Sequence, residues 1–439
     1  MTDAPLHRLG LREASAALAA GAATARELAE SSLARIAATD ARIEAWAHLE
    51  PDAVRAAADG SDAIQPAERG PLRGIGIGVK DVIATADMPT QMGSPVHAGH
   101  QPVADAACVA RLKAAGAYVF GKTVTTAYAF LDPGKTRNPW HYAHTPGGSS
   151  SGSAAAVAAL HVAGALGTQT NGSLIRPAAY CGVVGYKPTR GVISLDGVHI
   201  FSQTLDQVGV FTRSVADAAL LAQVVASPGA VASGLVVPAR APRFAYLAQF
   251  PWVRLDCHDD DKIEAAATRL RRRAEVVPVE LPGEWRTADR IHRTIMLFEA
   301  ARNLGPLQDR ERTRLSPKLN AALDEGRTIG AAEYETALRL RERAIAELAQ
   351  WLRGYDAVLA PPAPSAAPAG LGSTGDPACC TLWSLLGFPA LSLPTGWNRA
   401  GLPLGLQLAA PAGHDDRLLR AAAWCEAAFA FAPRPLPLT

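Results

Sequence analysis

Residues 74–80 read Gly-Ile-Gly-Ile-Gly-Val-Lys, and this stretch, in which glycine alternates with β-branched residues, decides the fold class. The alternation predicts a buried strand that neighbouring backbones approach closely. A helical pattern follows at 106–115, and a short strand-like run, Ala-Tyr-Val-Phe, occupies 117–120. This succession of strand, helix and strand predicts an α/β fold with helices layered on a sheet.

Helical and strand-like patterns also occur in the rest of the chain. Residues 8–60 have helical spacing, and the apolar run 153–166 reads as a buried helix that is too short to span a bilayer. Residues 225–355 are mostly helical and charged, and residues 391–408 contain two strand-like runs. We therefore predict a single large domain over residues 1–439, with a central mixed β-sheet between layers of α-helices.

Composition excludes several classes of protein. The chain is 49% hydrophobic and 19% charged, and 43 basic against 41 acidic side chains give a net charge of +2. The one basic run, 269–273, lies on a helical stretch and reads as a solvated face, so we expect no nucleic-acid partner. Six scattered cysteines form no C-x-x-C and no zinc spacing. Together with a start that has no apolar h-region, this pattern predicts a reduced, cytoplasmic chain without a membrane segment.

Two Gly/Ser-rich segments are the main candidates for chemistry. Residues 145–153 read TPGGSSSGS, and residues 167–173 read GTQTNGS. Such backbone beside a helix N-terminus presents free N–H groups to negative charge. Three interpretations compete: a pair of plain turns, a phosphate-binding loop, and acyl transfer by an activated serine. The phosphate loop lacks its lysine, because no Lys follows Gly152.

A second serine motif overlaps the first segment. Residues 148–152 match G-x-S-x-G with Ser150 at the centre, which is the nucleophile elbow of α/β-hydrolases. That elbow must follow a strand, and residues 141–147 with Pro146 do not read as one. Ser150 is therefore not expected to be the nucleophile.

Four motifs in register carry a resemblance to the amidase signature family. They are residues 78–81 (GVKD), 146–150 (PGGSS), 172–178 (GSLIRPA) and 181–189 (CGVVGYKPT). The resemblance reaches the closing segment 401–407 and therefore covers nearly the whole chain. It is strongest over 71–190, the predicted signature core that carries the catalytic residues, and weakest over 225–330.

The resemblance implies a set of catalytic roles that makes chemical sense. Ser173 matches the nucleophile, Ser149 the bridging serine after a cis peptide from Gly148, and Lys80 the general base. A serine hydroxyl attacks poorly unless a base takes its proton. Lys80 must be uncharged for this work, and burial lowers the pKa of a lysine. The competing interpretation of Lys80 is a surface salt bridge with Asp81.

The resemblance also implies an oxyanion hole from the backbone N–H groups of Thr170, Asn171, Gly172 and Ser173, with Ser150 and Gly148 in supporting roles. Glycines let the chain approach a substrate closely. Asn171 stands where the family more often has glycine. It fits either a positive φ, which asparagine tolerates, or a side chain that narrows the pocket.

Among subfamilies, the chain resembles malonamidase-type enzymes in residues 88–94, 167–170 and 373–377. Many family members pair the arginine at position 176 with an acid, and this chain has Gln169 in the acid's place. Arg176 is then a candidate for binding a substrate carboxylate, or it pairs with a distant acid. Met296 replaces a glutamine of the malonamidase pattern and predicts a less polar pocket wall.

We therefore expect an amidohydrolase that cleaves the C–N bond of a small aliphatic amide through an acyl-enzyme, without cofactor or metal. The amide could carry a carboxylate, as in a dicarboxylic acid monoamide. The expected partner is this small-molecule substrate, with a homodimer as one candidate assembly. Two alternatives stay open: an amidotransferase A-type subunit that passes ammonia to a partner, and a non-catalytic anion-binding relative.

Overall fold

A computed structural model describes residues 5–64, 70–231, 234–255, 263–432, 434 and 436. The strands of this part of the chain all belong to one sheet. They are β1 (Trp46–His48), β2 (Gly76–Lys80), β3 (Tyr118–Thr123), β4 (Gly164–Gln169), β5 (Val184–Lys187), β6 (Gln207–Thr212), β7 (Arg243–Tyr246), β8 (Glu275–Pro278), β9 (Ala357–Ala360), β10 (Ala390–Trp397) and β11 (Pro403–Ala409).

The helices of the described residues precede, connect and follow these strands. They are α1 (Leu11–Ala19), α2 (Ala25–Ile43), α3 (Pro51–Ala63), α4 (Ala107–Ala114), α5 (Ser151–Ala158), α6 (Ile175–Cys181), α7 (Val215–Val225), α8 (Ile263–Arg271), α9 (Ala288–Glu311), α10 (Pro317–Thr328), α11 (Ala331–Trp351), α12 (Thr381–Leu386) and α13 (Asp415–Phe429).

The sheet is mixed, with the strand order β1-β3-β2-β4-β6-β5-β10-β11-β9-β7-β8. Strand β2 is parallel to both β3 and β4, and β7 is parallel to β8 and β9. Between these two parallel groups the pairs from β4 to β9 are antiparallel. Helices α5 and α6 pack on the sheet as one group, and α1, α4, α7 and α13 pack as another. The prediction of a single domain with a mixed sheet flanked by helices is confirmed.

The topology brings three chain segments to one edge of the sheet. Strands β2 and β4 are parallel neighbours, and they end at Lys80 and Gln169. The carboxyl ends of parallel strands meet at the same edge, where α/β proteins commonly bind ligands. Helix α5 begins at Ser151 within the first Gly/Ser segment, and α6 begins at Ile175, two residues after the second segment. Lys80 and both serine loops are therefore assembled at one place.

The prediction of a helix over 153–166 is wrong in its second half. Helix α5 ends at Ala158, Leu160 has a φ of 66°, and β4 begins at Gly164. An uninterrupted apolar run has no periodicity that separates a buried helix from a buried strand, so the turn at Leu160 was invisible in the sequence. The second serine loop is correspondingly shorter, because residues 167–169 belong to β4 rather than to the loop.

No helix in the described ranges has both the length and the apolar character needed to cross a membrane. Within those ranges five cysteines are buried and form no disulfide, and Cys257 lies outside the described residues. In the basic run, Arg271 pairs with Glu264 on the same helix and Arg269 donates to the carbonyl of Phe429. These contacts fit the predicted solvated face.

Candidate active site

Lys80 is the last residue of β2, and its side chain is fully buried. Its Nζ lies 2.6 Å from Ser149 Oγ and 2.7 Å from Thr168 Oγ1 of the adjacent strand β4. Burial holds the pKa of Lys80 well below its usual value, and the charge of Asp206 opposes this effect only in part. An uncharged amine keeps a lone pair, so the short contact with Ser149 can carry a proton in either direction.

The alternative of a surface salt bridge between Lys80 and Asp81 does not hold. Asp81 is buried, and one of its carboxylate oxygens accepts the backbone N–H of Gln91 at 3.0 Å. Among the described residues, Lys80 has no carboxylate within ion-pair distance. The lysine is therefore held by hydroxyl groups rather than by a counter-ion.

Ser149 follows a cis peptide bond from Gly148, as the family resemblance implies. Its carbonyl accepts the N–H of Thr126 at 3.2 Å, and its side chain is buried. A Cβ on Gly148 would lie 2.7 Å from Thr374 Cγ2, so a larger residue has no room there. The backbone around Ser149 is thereby fixed, with its hydroxyl directed at Lys80.

The hydroxyl of Ser150 binds the backbone of strand β4 instead of facing a base. Its hydroxyl donates to the carbonyl of Thr168 at 3.2 Å and accepts the N–H of the same residue at 3.3 Å. The segment before it is a loop and not a strand, so the nucleophile-elbow interpretation fails on its structural requirement. The supporting role of Ser150 stays a prediction.

Ser173 is partly exposed at the end of the second loop. Its carbonyl accepts the N–H of Ser150 at 3.4 Å, which ties the two loops together. Within the described ranges, no hydrogen bond joins the hydroxyls of Ser173 and Ser149. The fold therefore brings the backbone of the predicted nucleophile next to Ser150, the residue that follows the predicted relay.

The predicted oxyanion loop, residues 170–173, is held through its side chains and carbonyls. Thr170 Oγ1 donates to Asp206 Oδ1 at 2.5 Å, and His292 Nε2 lies 3.1 Å from the carbonyl oxygen of Thr170. No hydrogen bond within the described residues uses the N–H groups of 171–173 as donors. Backbone donors that are fixed in place but uncommitted are what an oxyanion hole requires.

Asn171 does not have a positive φ, so the first explanation of this residue is wrong. Its Oδ1 accepts the hydroxyl of Thr381 at 2.9 Å, and its carbonyl accepts the hydroxyl of Ser384 at 2.5 Å. The side chain thus fixes the loop against α12. The φ of a residue depends on its neighbours in space, and those neighbours are some 210 positions away.

Gln169, at the position where the family resemblance implies an acid, binds the backbone at the start of α6. Its Oε1 accepts the N–H groups of Leu174 and Ile175 at 2.8 and 3.0 Å, and its Nε2 donates to Ser384 at 3.0 Å. The amide oxygen therefore satisfies the free donors at the start of α6. A neutral acceptor is sufficient for this role, so the missing acid leaves no defect in the helix.

Arg176 is 3% exposed, and its guanidinium donates to three groups of the protein. Nη2 lies 2.6 Å from the carbonyl oxygen of Gly148 and 3.1 Å from Thr374 Oγ1, and Nη1 lies 2.9 Å from the carbonyl oxygen of Gly375. No described carboxylate forms an ion pair with it, so the predicted pairing with a distant acid is not found in this part of the chain. Arg176 holds the cis peptide before Ser149 in place.

Sequence reasoning missed Thr168, Asp206, His292 and Ser384, which all contact the predicted site residues. Thr168 belonged to a quoted motif, but its contact with Lys80 depends on strand pairing. The other three come from distant segments and carry no local signal. Met296 is partly buried against apolar side chains, and its predicted place in the pocket wall stays a prediction.

Comparison with known proteins assigns the chain at the level of the family. The profile named Amidase matches residues 27–419. The chain belongs to the Amidase family. The A-type subunit of glutamyl-tRNA(Gln) amidotransferase from Anaeromyxobacter sp. (strain K) is 36% identical over 98% of both chains.

Solved structures agree with this family assignment. A crystal structure of an amidase superimposes with a TM-score of 0.85 and 33% identity, covering 96% of this chain and 100% of that one. The native peptide amidase from Stenotrophomonas maltophilia gives a TM-score of 0.82 and 32% identity over 99% of both chains. These Amidase-family relatives do not support the narrower resemblance to malonamidase-type enzymes.

Proposed function

We propose that this Amidase-family chain hydrolyses the C–N bond of a linear amide, with Ser173 as nucleophile, Ser149 as proton relay and Lys80 as general base. The observation that carries the proposal is the position of Lys80. Its side chain is buried, and its Nζ lies 2.6 Å from the hydroxyl oxygen of Ser149. A buried lysine without a counter-ion favours the uncharged form that a base requires.

Acylation begins when Ser173 Oγ attacks the carbonyl carbon of the amide. The hydroxyl proton of Ser173 passes to Ser149, while the proton of Ser149 passes to Lys80. The carbonyl oxygen becomes an oxyanion that the N–H groups of residues 170–173 stabilise. When the tetrahedral intermediate collapses, the C–N bond breaks, and the proton returns from Lys80 through Ser149 to the leaving nitrogen. The products are ammonia or an amine and an ester on Ser173.

Deacylation repeats the route with water. Lys80 accepts a proton from the water through Ser149, the hydroxide oxygen bonds to the acyl carbon, and the ester bond to Ser173 breaks. The proton then returns to Ser173, which releases a carboxylic acid. Every step uses side chains and backbone groups of this chain.

The kinetics should depend on pH through Lys80. The base must be uncharged, so kcat/KM should rise as Lys80 loses its proton and should fall on the acid side of its pKa. Since burial lowers this pKa, we expect the fall of kcat/KM on the acid side, the acid limb of the profile, to have its midpoint well below pH 10.5. A pH profile of amide hydrolysis measures the limb. A rate that is still rising steeply above pH 10 would contradict a buried lysine base.

The contacts of Arg176 bear on the substrate. Replacement by glutamine leaves the carbonyls of Gly148 and Gly375 without their buried donor, at a cost of about 1–3 kcal/mol for each unsatisfied group. We therefore expect Arg176→Gln to lower the melting temperature and to reduce kcat/KM for neutral and carboxylate-bearing amides alike. A loss confined to carboxylate-bearing amides would instead support the predicted role in binding a substrate carboxylate.

A second candidate function is that of one component of an amidotransferase. It is favoured by the 36% identity to the A-type subunit of glutamyl-tRNA(Gln) amidotransferase, which extends over 98% of both chains. The catalytic steps would be the same, with ammonia delivered to a partner instead of released. This alternative predicts weak amide hydrolysis by the chain alone and a marked increase with the partner subunits.

Ammonia release by the purified chain tests the proposal. The panel contains small aliphatic amides, monoamides of dicarboxylic acids, glutamine and a C-terminally amidated dipeptide, and Ser173→Ala is the control. Turnover by the chain alone that is lost in the control supports amide hydrolysis. Turnover that requires the other amidotransferase components supports the second function. Undiminished turnover in the control rejects Ser173 as the nucleophile.

A further inference from the structure

Asp206 is a buried carboxylate beside the candidate active site, one residue before β6. Its Oδ1 accepts the hydroxyl of Thr170 at 2.5 Å, and its Oδ2 accepts the N–H groups of Phe201 and Ser202 at 2.7 and 3.0 Å. Among the described residues, no cation lies within ion-pair distance of it. Burying a carboxylate that only neutral donors stabilise costs folding free energy, so we expect this residue to have a functional role.

The position of Asp206 follows from strand pairing. Strand β6 is antiparallel to β4, with Gln207 opposite Gln169, so the residue before β6 faces the residue after β4. That residue is Thr170, the first of the oxyanion loop. On its other side the loop is held by Ser384 and Thr381 of α12. Asp206 is thus one of two opposing supports of the loop.

The charges around Asp206 include those of the catalytic centre. Burial raises the pKa of Asp206 to about 6, with a smaller contribution from the charge of Glu299, while its three hydrogen bonds oppose the rise. The negative charge of Asp206 in turn raises the pKa of Lys80 against the effect of burial. His199 and His292 have pKa values of about 4 because of burial, so neither carries a charge at neutral pH.

We propose that Asp206 is a positioning residue of the amide-hydrolysing site, which fixes the oxyanion loop by accepting the hydroxyl of Thr170. The inference rests on the proposed function, because the loop that Asp206 holds is the one that stabilises the oxyanion in that mechanism. Asp206 itself does not touch the reacting atoms.

Substitution on either side of the contact tests this role. Asp206→Ala removes the acceptor and Thr170→Val removes the donor, so each should lower kcat roughly 10- to 100-fold with little change in KM. Because the two residues act through one hydrogen bond, the double variant should lose little more than either single variant. Thr170→Ser keeps the hydroxyl and should restore most of the wild-type kcat.

The experiment uses two readouts on the full chain. One is amide hydrolysis, from which kcat and KM are determined separately. The other is the rate at which an alkyl fluorophosphonate modifies Ser173, followed by intact mass. In that reaction the serine oxygen bonds to phosphorus, the P–F bond breaks, fluoride leaves, and the serine proton passes through Ser149 to Lys80. The second readout needs no knowledge of the physiological amide.

A lowered kcat with little change in KM in Asp206→Ala and Thr170→Val, with recovery in Thr170→Ser, supports the proposal. A wild-type kcat in Thr170→Val overturns it, as does a Thr170→Ser variant that is as slow as Thr170→Val. If Asp206→Ala does not fold, the two Thr170 variants decide. A phosphonate adduct on a residue other than Ser173 defeats the proposed function instead, so the two failures are distinguishable.

Discussion

Replacing Ser173 with alanine is expected to lower kcat/KM for amide hydrolysis by about 10,000-fold or more, as the loss of an activated serine nucleophile does. The hydroxyl removed supplies the oxygen atom that forms the acyl-enzyme, so the variant cannot form the covalent intermediate. The measurement is ammonia release, together with the mass of the protein after exposure to an alkyl fluorophosphonate. The variant should gain no adduct.

Ser150→Ala is the matched comparison for this prediction. Ser150 lies at the centre of the G-x-S-x-G motif, but its hydroxyl is engaged with the backbone of Thr168. Its replacement should cost far less activity than that of Ser173 and should leave the adduct on Ser173. The reverse pattern, in which Ser150→Ala is inactive and Ser173→Ala is not, would move the nucleophile to the first loop.

Lys80→Met should lower kcat by about 1,000-fold, within the range that general acid–base catalysis contributes. Methionine occupies a similar volume but can neither accept nor return a proton, so Ser149 loses its partner at 2.6 Å. The loss should be greatest at the pH optimum of the wild type, and the acid limb assigned to Lys80 should disappear. A pH profile of the variant measures both effects.

The stability of this variant provides the control. The unfolded chain binds a proton on Lys80 below about pH 10.5, whereas the folded chain binds it only at lower pH. Folding therefore carries a penalty at neutral pH that grows as the pH falls toward the pKa of the folded state. Methionine removes that penalty, so the melting temperature relative to wild type should rise as the pH is lowered. Equal activity of Lys80→Met and wild type would exclude Lys80 as the base.

Local sequence patterns were sufficient to predict those helices and strands whose apolar residues recur with a clear period or whose ends are clearly marked. The glycine-alternating run 74–80 contains β2, the run 106–115 contains α4, and the run 117–120 overlaps the start of β3. The apolar run that contains α5 and β4 was misread, because a continuous apolar sequence fits either element. The turn at Leu160 decides between them, and it depends on packing rather than on local preference.

The sequence by itself determined the chemical inventory: a lysine at the end of a glycine-rich strand, two serine loops, and motifs whose order and spacing match one family. Rules of local structure depend on residues that are neighbours in the sequence, and the family resemblance depends on motifs that can be read from it. Both could therefore be applied without coordinates. Tertiary structure alone decided what each side chain contacts. It placed Arg176 on the carbonyl of Gly148, Asn171 against Thr381, and Asp206 beside Thr170. These partners lie 28 to 210 residues apart, and they are brought together by the packing of α5 against α6, the pairing of β4 with β6 and the position of α12.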